Sequence, residues 1–188
     1  MSASDGALAE IRAAMAVESM IIYTPAPGID GWDLSRYHTS GVANNTKLKA
    51  LLSGFLAATP SRFGMYDPAC PEPDQRNRIV EPLSKPNYVE QASPYIRAVF
   101  VPLRIDRHRQ LRVLVCEGAS LLAWFGSLHP EPFEPRHRRM MRMLLPAVRT
   151  RLSIERRLSA SEINRAGLDA ALEQLGAPAF VVSSRGTL

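Results

Sequence analysis

Apolar positions along this chain follow two rhythms, spacings of three and four or near alternation, and these divide it into helices and strands. Between Asp5 and Ala16, Leu8, Ile11 and Met15 form a short amphipathic stripe, with Ser4 or Asp5 placed to cap it. Glu18–Thr24 is rich in β-branched and aromatic residues and predicts a strand, closed by the turn composition of Pro25–Gly31. In Trp32–Thr39, Trp32, Leu34, Arg36 and His38 alternate with Asp33, Ser35 and Tyr37, which predicts a second strand. From Asn45 onward, Leu48, Leu51, Leu52, Phe55 and Leu56 share one helix face that stops before Pro60 and needs a sheet beneath it. Phe63–Pro68 predicts a short strand entering an extended, proline-rich connection that reaches Arg78. Pro82 and Pro86 break Ile79–Val89 into pieces too short to assign.

The second half is more regular. Arg97–Ile105 and Leu111–Glu117 predict two strands joined by a charged reversal at 106–110, and Ser120–Leu128 predicts a third. A long helix from Phe133 to Leu158 then places Met141, Leu144, Leu145, Val148, Leu152 and Leu158 on one face and arginine on the other. Glu134 and Pro135 suit its first turn, where negative charge meets the exposed amides and proline lacks only an amide that has no partner there. Pro146, inside the helix, removes one backbone hydrogen bond and predicts a bend. Ser159–Glu162 has the spacing of a capping box, which predicts a second helix through Ile163, Ala166, Ala170 and Leu172, stopping at Gly176. The last residues predict a strand and the start of a hairpin. The order of elements defines an α+β fold, an antiparallel sheet with flanking helices and a long C-terminal connecting helix.

Composition narrows the picture. A length of 188 residues suits one domain plus a fragment. We place one domain at 1–158, with 159–188 as a connecting helix and the incomplete beginning of another, and expect the chain to be a piece of a longer protein. The net charge of +5 is local: eight arginines against two glutamates put +6 between Phe133 and Leu158, leaving −1 for everything else. A charge run of this kind is usually a solvated helix face. Cys70 and Cys116 stand in no metal-ligand spacing and suggest reduced thiols in a cytoplasmic protein. No signal peptide and no run of about 20 apolar residues are present, so no membrane is expected.

Catalytic signals are absent. His38, His108, His129 and His137 are scattered, no zinc spacing occurs, and no glycine-rich phosphate loop follows a strand. We expect no enzyme activity and no cofactor.

Three stretches together resemble the sensor part of helix-turn-helix transcriptional regulators of the LuxR type. Gly64–Arg78 is similar to a loop that precedes the central strands in some of these regulators. Leu122–Leu152 is similar to the last core strand and following helix of a GAF-like sensor domain, down to the phrase LLPxVxxRL at Leu144–Leu152, which absorbs Pro146. Leu168–Gly186 resembles the opening of a PAS domain. The resemblance implies a GAF/PAS-like antiparallel sheet and a position upstream of a DNA-binding domain that these residues do not contain. Some GAF domains attach a bilin through Cys-His; here Glu117 follows Cys116, so that match fails. The cysteines of a free methionine sulfoxide reductase, which also has this fold, are not reproduced either.

A pocket of such a domain lies between the sheet and its covering helices and loops, which makes Phe63, Tyr66, Phe100, Cys116 and Trp124 the candidates to line it. The competing reading for each is ordinary core. The terminal helices are expected to build a homodimer, with Met141, Leu145, Val148, Leu152 and Leu158 on the connecting helix, because an apolar stripe that outruns the sheet needs another cover. The rival function is direct nucleic-acid binding through the arginines of 134–158.

Overall fold

The structure, a computed structural model, describes residues 3–28, 31–42, 45–58, 66–82 and 94–175. In chain order these form α1 (Ala3–Met15), β1 (Ser19–Gly28), β2 (Gly31–Ser40), α2 (Asn45–Ala58) and β3 (Ile79–Val80). After a helical segment come β4 (Arg109–Glu117), β5 (Ser120–His129) and α3 (Pro135–Leu175). The strands make one open sheet in the order β2-β1-β5-β4-β3, every neighbouring pair antiparallel. The fold is therefore α+β, an antiparallel sheet with flanking helices and a long C-terminal helix. The chain divides into two compact units, 1–150 and 151–188.

Strand β1 is longer than its composition predicts, because it runs through Pro25 and Pro27 instead of turning at them. Its pairing with β5 ends at Tyr23, so the far part of β1 has a single neighbour and one side needs no amide donors. Proline is tolerated in a strand only in such a position. Of the predicted turn, residues 29–30 lie outside the described residues. Across the hairpin, Tyr23 pairs with Tyr37 and Thr24 with Ser35, so Arg36 is an extra residue in β2. Its φ of 51° is left-handed, a conformation that costs a non-glycine residue about 1 kcal/mol. The bulge breaks the predicted alternation. Leu34 and Tyr37, three apart, now pack into one cluster.

The largest departure is at Arg97–Ile105, predicted as a strand. Ile96–Phe100 forms a π-helical turn and Val101–Leu103 a 3-10 turn, with Pro102 in its first turn and Arg104 in the left-handed region at its end. Tyr95, Val99 and Phe100 are buried while Val101 is half-exposed, a helical spacing that local β propensity does not overrule. The three-strand meander predicted here is accordingly the single hairpin β4–β5, turned at Gly118, and the sheet is completed by β1 and β3 from the first half.

Beside β4, strand β3 supplies only two residues, paired with Val113 and Arg112. The loop before it, predicted as extended, instead folds in turns and extends the edge by other means. Arg76 bridges Leu114, the Asn77 amide donates to the Leu114 carbonyl at 2.8 Å, and the Asn77 side chain serves Cys116 at both ends. Its Oδ1 accepts the Cys116 amide at 2.9 Å, and its Nδ2 donates to the Cys116 carbonyl at 3.2 Å. Asn77 adopts a φ of 55°, which asparagine tolerates better than most residues.

Both faces of the central strands are covered, which explains their nearly unbroken apolar runs. On one face Ile21, Tyr23, Leu114, Cys116, Trp124 and Leu128 join Leu48 and Leu52 of α2 and Val99 and Phe100 of the π-helical turn. By alternation Met20, Val113, Val115, Ala123, Phe125 and Ser127 point the other way, and all are at most 1% exposed. Leu8 and Met15 of α1 and Met141 of α3 are buried outside the first cluster. Helix α3 is one helix where the capping signature at Ser159–Glu162 predicts a break, and it continues through Pro146. Serine and glutamate are compatible with a helix interior, and the flanking Ala, Arg and Leu favour helix, so a capping box without a chain reversal before it does not start a new one. The expected stop at Gly176 and the terminal strand lie outside the described residues.

Candidate functional site

The first face of the sheet gathers polar chemistry into an otherwise apolar core. Tyr66, Phe100, Cys116 and Trp124, four of the five residues predicted to line a pocket, are buried in one cluster there. Phe63 lies outside the described residues. Tyr23 stacks on Trp124 with ring centroids 5.2 Å apart and planes 7° from parallel. Tyr95 bridges Phe55 and Phe100 at 5.3 and 5.2 Å. Gly126 makes room for this arrangement: a Cβ there would sit 2.6 Å from Cη2 of the Trp124 ring and 2.7 Å from the Leu111 carbonyl.

Within the cluster, the Tyr23 and Tyr66 hydroxyls share a hydrogen bond at 3.2 Å. Arg112 enters from β4, 1% exposed, with its guanidinium carbon 5.6 Å from the Tyr66 ring centroid and Nη2 donating to Gln75 Oε1 at 3.4 Å. Burying a guanidinium costs several kcal/mol unless polar groups surround it. Burial raises the ionisation of Tyr23, Tyr66, Tyr95 and Tyr37 above the ordinary phenol value. All four therefore remain neutral hydroxyls at physiological pH, able to donate. At the α2 edge of the cluster, the Tyr37 hydroxyl is buried with no hydrogen-bond partner, and Lys49 Nζ stands 5.9 Å from its ring centroid. A buried polar atom without a partner requires an explanation, and a small bound molecule is one.

Sequence reasoning missed Tyr23, Tyr37, Tyr95, Arg112 and Asn77. One signal was available, since Arg112 is a lone charge at an inward position of an apolar strand. The tyrosines gave none, because phenols in strands usually pack as plain hydrophobes. Burial pushes the Cys116 thiol up to about 11, against opposing effects of Arg76, Arg149 and the Asn77 contact. Cys70 is exposed, and Arg76 Nη2 lies 3.5 Å from its sulfur.

At another corner, a cleft of about 80 Å³ is lined by Glu18, Ser19, Val42, Leu103, Ile105 and His108, with Glu18 Oε1 3.1 Å from His108 Nε2. That is space for about three water molecules at roughly 30 Å³ each. Among the described residues, no group of three or more His, Cys, Asp or Glu is arranged to hold a metal ion, and no helix is long and apolar enough to cross a membrane.

The predicted connector residues separate along α3. Met141 is fully buried, Leu145 and Val148 are half-buried, Leu152 is buried and Leu158 is 60% exposed. Met143 and Ile154, not predicted, are also exposed. Of the arginines, Arg136 pairs with Glu134, Arg138 with Glu81 and Arg151 with Glu155. Arg139, Arg142 and Arg149 are exposed and outside every ion pair of the described residues. Comparison with protein-family models, curated proteins and solved structures finds no match to this chain.

Proposed function

We propose that the chain is a regulatory sensor and dimerisation module of a bacterial transcriptional regulator, cytoplasmic and non-enzymatic, acting on a DNA-binding domain elsewhere in the full protein. The observation that carries this reading is the Tyr37 hydroxyl, buried without a partner beside a core of three further tyrosines and Arg112. A core built only for stability gains nothing from an unsatisfied hydroxyl. A phenol donates or accepts and a guanidinium only donates, so the matching ligand is a small molecule with at least one hydrogen-bond acceptor and an apolar body. The antiparallel sheet with flanking helices agrees with what the sequence resemblance implies. The exposed apolar side chains of α3, Ile154 and Leu158 among them, suit a homodimer contact.

Native mass spectrometry of the purified chain tests the ligand reading. A retained small molecule that is lost in Tyr37→Phe, with the fold unchanged, supports it; an unliganded chain whose melting temperature responds to no member of a metabolite panel defeats it. Light scattering tests association, and a monomer at all micromolar concentrations removes the dimer. The second reading is nucleic-acid binding, favoured by the exposed, unpaired Arg139, Arg142 and Arg149. It requires affinity for duplex DNA that falls steeply with salt, because each phosphate contact releases counterions. No binding at low salt eliminates it.

A further inference from the structure

Two histidines hold backbone amides at the junction where α1, the β1–β5 pair and the start of α3 meet. The Glu134 amide donates to His137 Nδ1 at 2.8 Å, and the Glu18 amide donates to His129 Nδ1 at 3.3 Å. An imidazole nitrogen accepts only when it carries no proton, so both bonds require neutral rings protonated at Nε2. The two rings lie 6.2 Å apart, joined through Phe133, whose ring is 6.0 Å from His129 and edge-on to His137 at 5.7 Å. His137 is 2% exposed, and its Nε2 is buried on the side of the Met15 carbonyl of α1.

We propose that this junction is an acid-sensitive latch on the start of α3. Proton uptake by His137 puts an N–H against the Glu134 N–H, turning a hydrogen bond into a donor–donor clash. It also places a cation in the first turn of a helix, where the exposed amides already carry partial positive charge. His129 Nδ1 accepts the Glu18 amide from the same side of Phe133, so the entry to α3 lies against the segment that leads into β1.

The neighbouring charges set the direction. Burial lowers the His137 pKa first, and Arg136 and His129 lower it further. Glu134 and the Met15 carbonyl of α1 oppose them without prevailing. On the β1 side, Glu18 faces His108, and Arg12 of α1 is engaged with Ser40. A histidine whose folded pKa is lowered contributes stability that is complete above its unfolded value, near 6.5, and is lost as pH falls below that value toward the folded one. Acidification below about 6.5 thus loosens residues 133–141 while the β4–β5 hairpin stays closed. The inference does not depend on a ligand in the tyrosine core.

The test uses the full chain. Long-range proton–nitrogen NMR reads the tautomer and titration of each histidine, and hydrogen exchange corrected for intrinsic pH effects reads protection at pH 7.5 and 5.5. Expected are the Nε2–H tautomer for His129 and His137, a His137 midpoint below the ordinary value, and protection over 133–145 falling more than over β5, by up to about tenfold, the limit set by pH 5.5 standing about one unit below the unfolded histidine value. His137→Asn, whose side-chain oxygen can accept from the Glu134 amide without titrating, should keep protection at both pH values. An Nδ1–H tautomer at His137, an ordinary or raised midpoint, or equal loss of protection in β5 overturns the proposal. The NMR result stands even where the variant does not fold.

Discussion

Replacing Asn77 by aspartate changes one side-chain group from a donor to an acceptor and leaves the shape intact. The native amide accepts from the Cys116 N–H at 2.9 Å and donates to the Cys116 carbonyl at 3.2 Å, in place of a strand neighbour that β3 is too short to provide. The aspartate would keep the first bond and lose the second, setting a carboxylate oxygen against a carbonyl of a residue that is 0% exposed. An unmade bond at a buried acceptor costs about 1–3 kcal/mol, and the charge adds to it, so Asn77→Asp should lose about 2–4 kcal/mol at pH 7. The carboxyl pKa rises in the folded state above its unfolded value of about 3.9, because only the protonated form can donate to the carbonyl. The penalty is therefore complete above the folded pKa and relieved as pH falls through it. Asn77→Gly separates out the backbone, since it removes both side-chain bonds and eases the left-handed φ. Urea unfolding followed by circular dichroism between pH 4 and 8 measures all three proteins. An aspartate variant within about 0.5 kcal/mol of the parent at pH 7 would refute the claim that this side chain stands in for a strand.

Iodoacetamide at pH 8 should modify Cys70 in the folded protein and leave Cys116 untouched until denaturant is added, as mass spectrometry of the alkylated peptides will show. Gly126→Ala should lower stability by about 1–3 kcal/mol in urea unfolding, because its methyl would have to displace the Trp124 ring or part β4 from β5. Gly41→Ala should be at least as severe: its φ is 82° and a Cβ would lie 2.0 Å from the Glu18 carbonyl, so poor soluble expression or a lower melting temperature is expected. Ultraviolet titration should find Tyr23, Tyr37, Tyr66 and Tyr95 resisting ionisation beyond the ordinary phenol range until the protein unfolds.

Elements with one wet face and one dry face were legible in the sequence. Helices α1 and α2 show single apolar stripes, and the start of α3 shows its acidic and proline signals, so each lies close to its predicted place. Arg97–Ile105 was misread because a short apolar run has no period, and the burial of Val99 and Phe100 side by side, which decides for helix, depends on residues far away. The alternation of β2 was read in the wrong register past Ser35, since Arg36 carries no glycine or asparagine signal for a bulge. Sheet order was not legible, because β1 pairs with β5 about a hundred residues later and no local pattern encodes a partner. That Tyr66, Phe100, Cys116 and Trp124 face the interior was legible in their apolar and aromatic character, and the hydroxyls and guanidinium buried with them were missed. A tyrosine shows whether its hydroxyl is satisfied only once its neighbours are known.

The two ends of the sheet bear on how this protein can meet others. One outer strand is kinked by an exposed arginine in a left-handed bulge, and the other is two residues long, its place taken by an asparagine side chain. Neither offers the flat row of amides and carbonyls on which a further strand could be laid. Backbone-directed growth, which is indifferent to sequence, is thereby discouraged at both margins. Association is left to side chains, whose choice of partner can be changed one residue at a time.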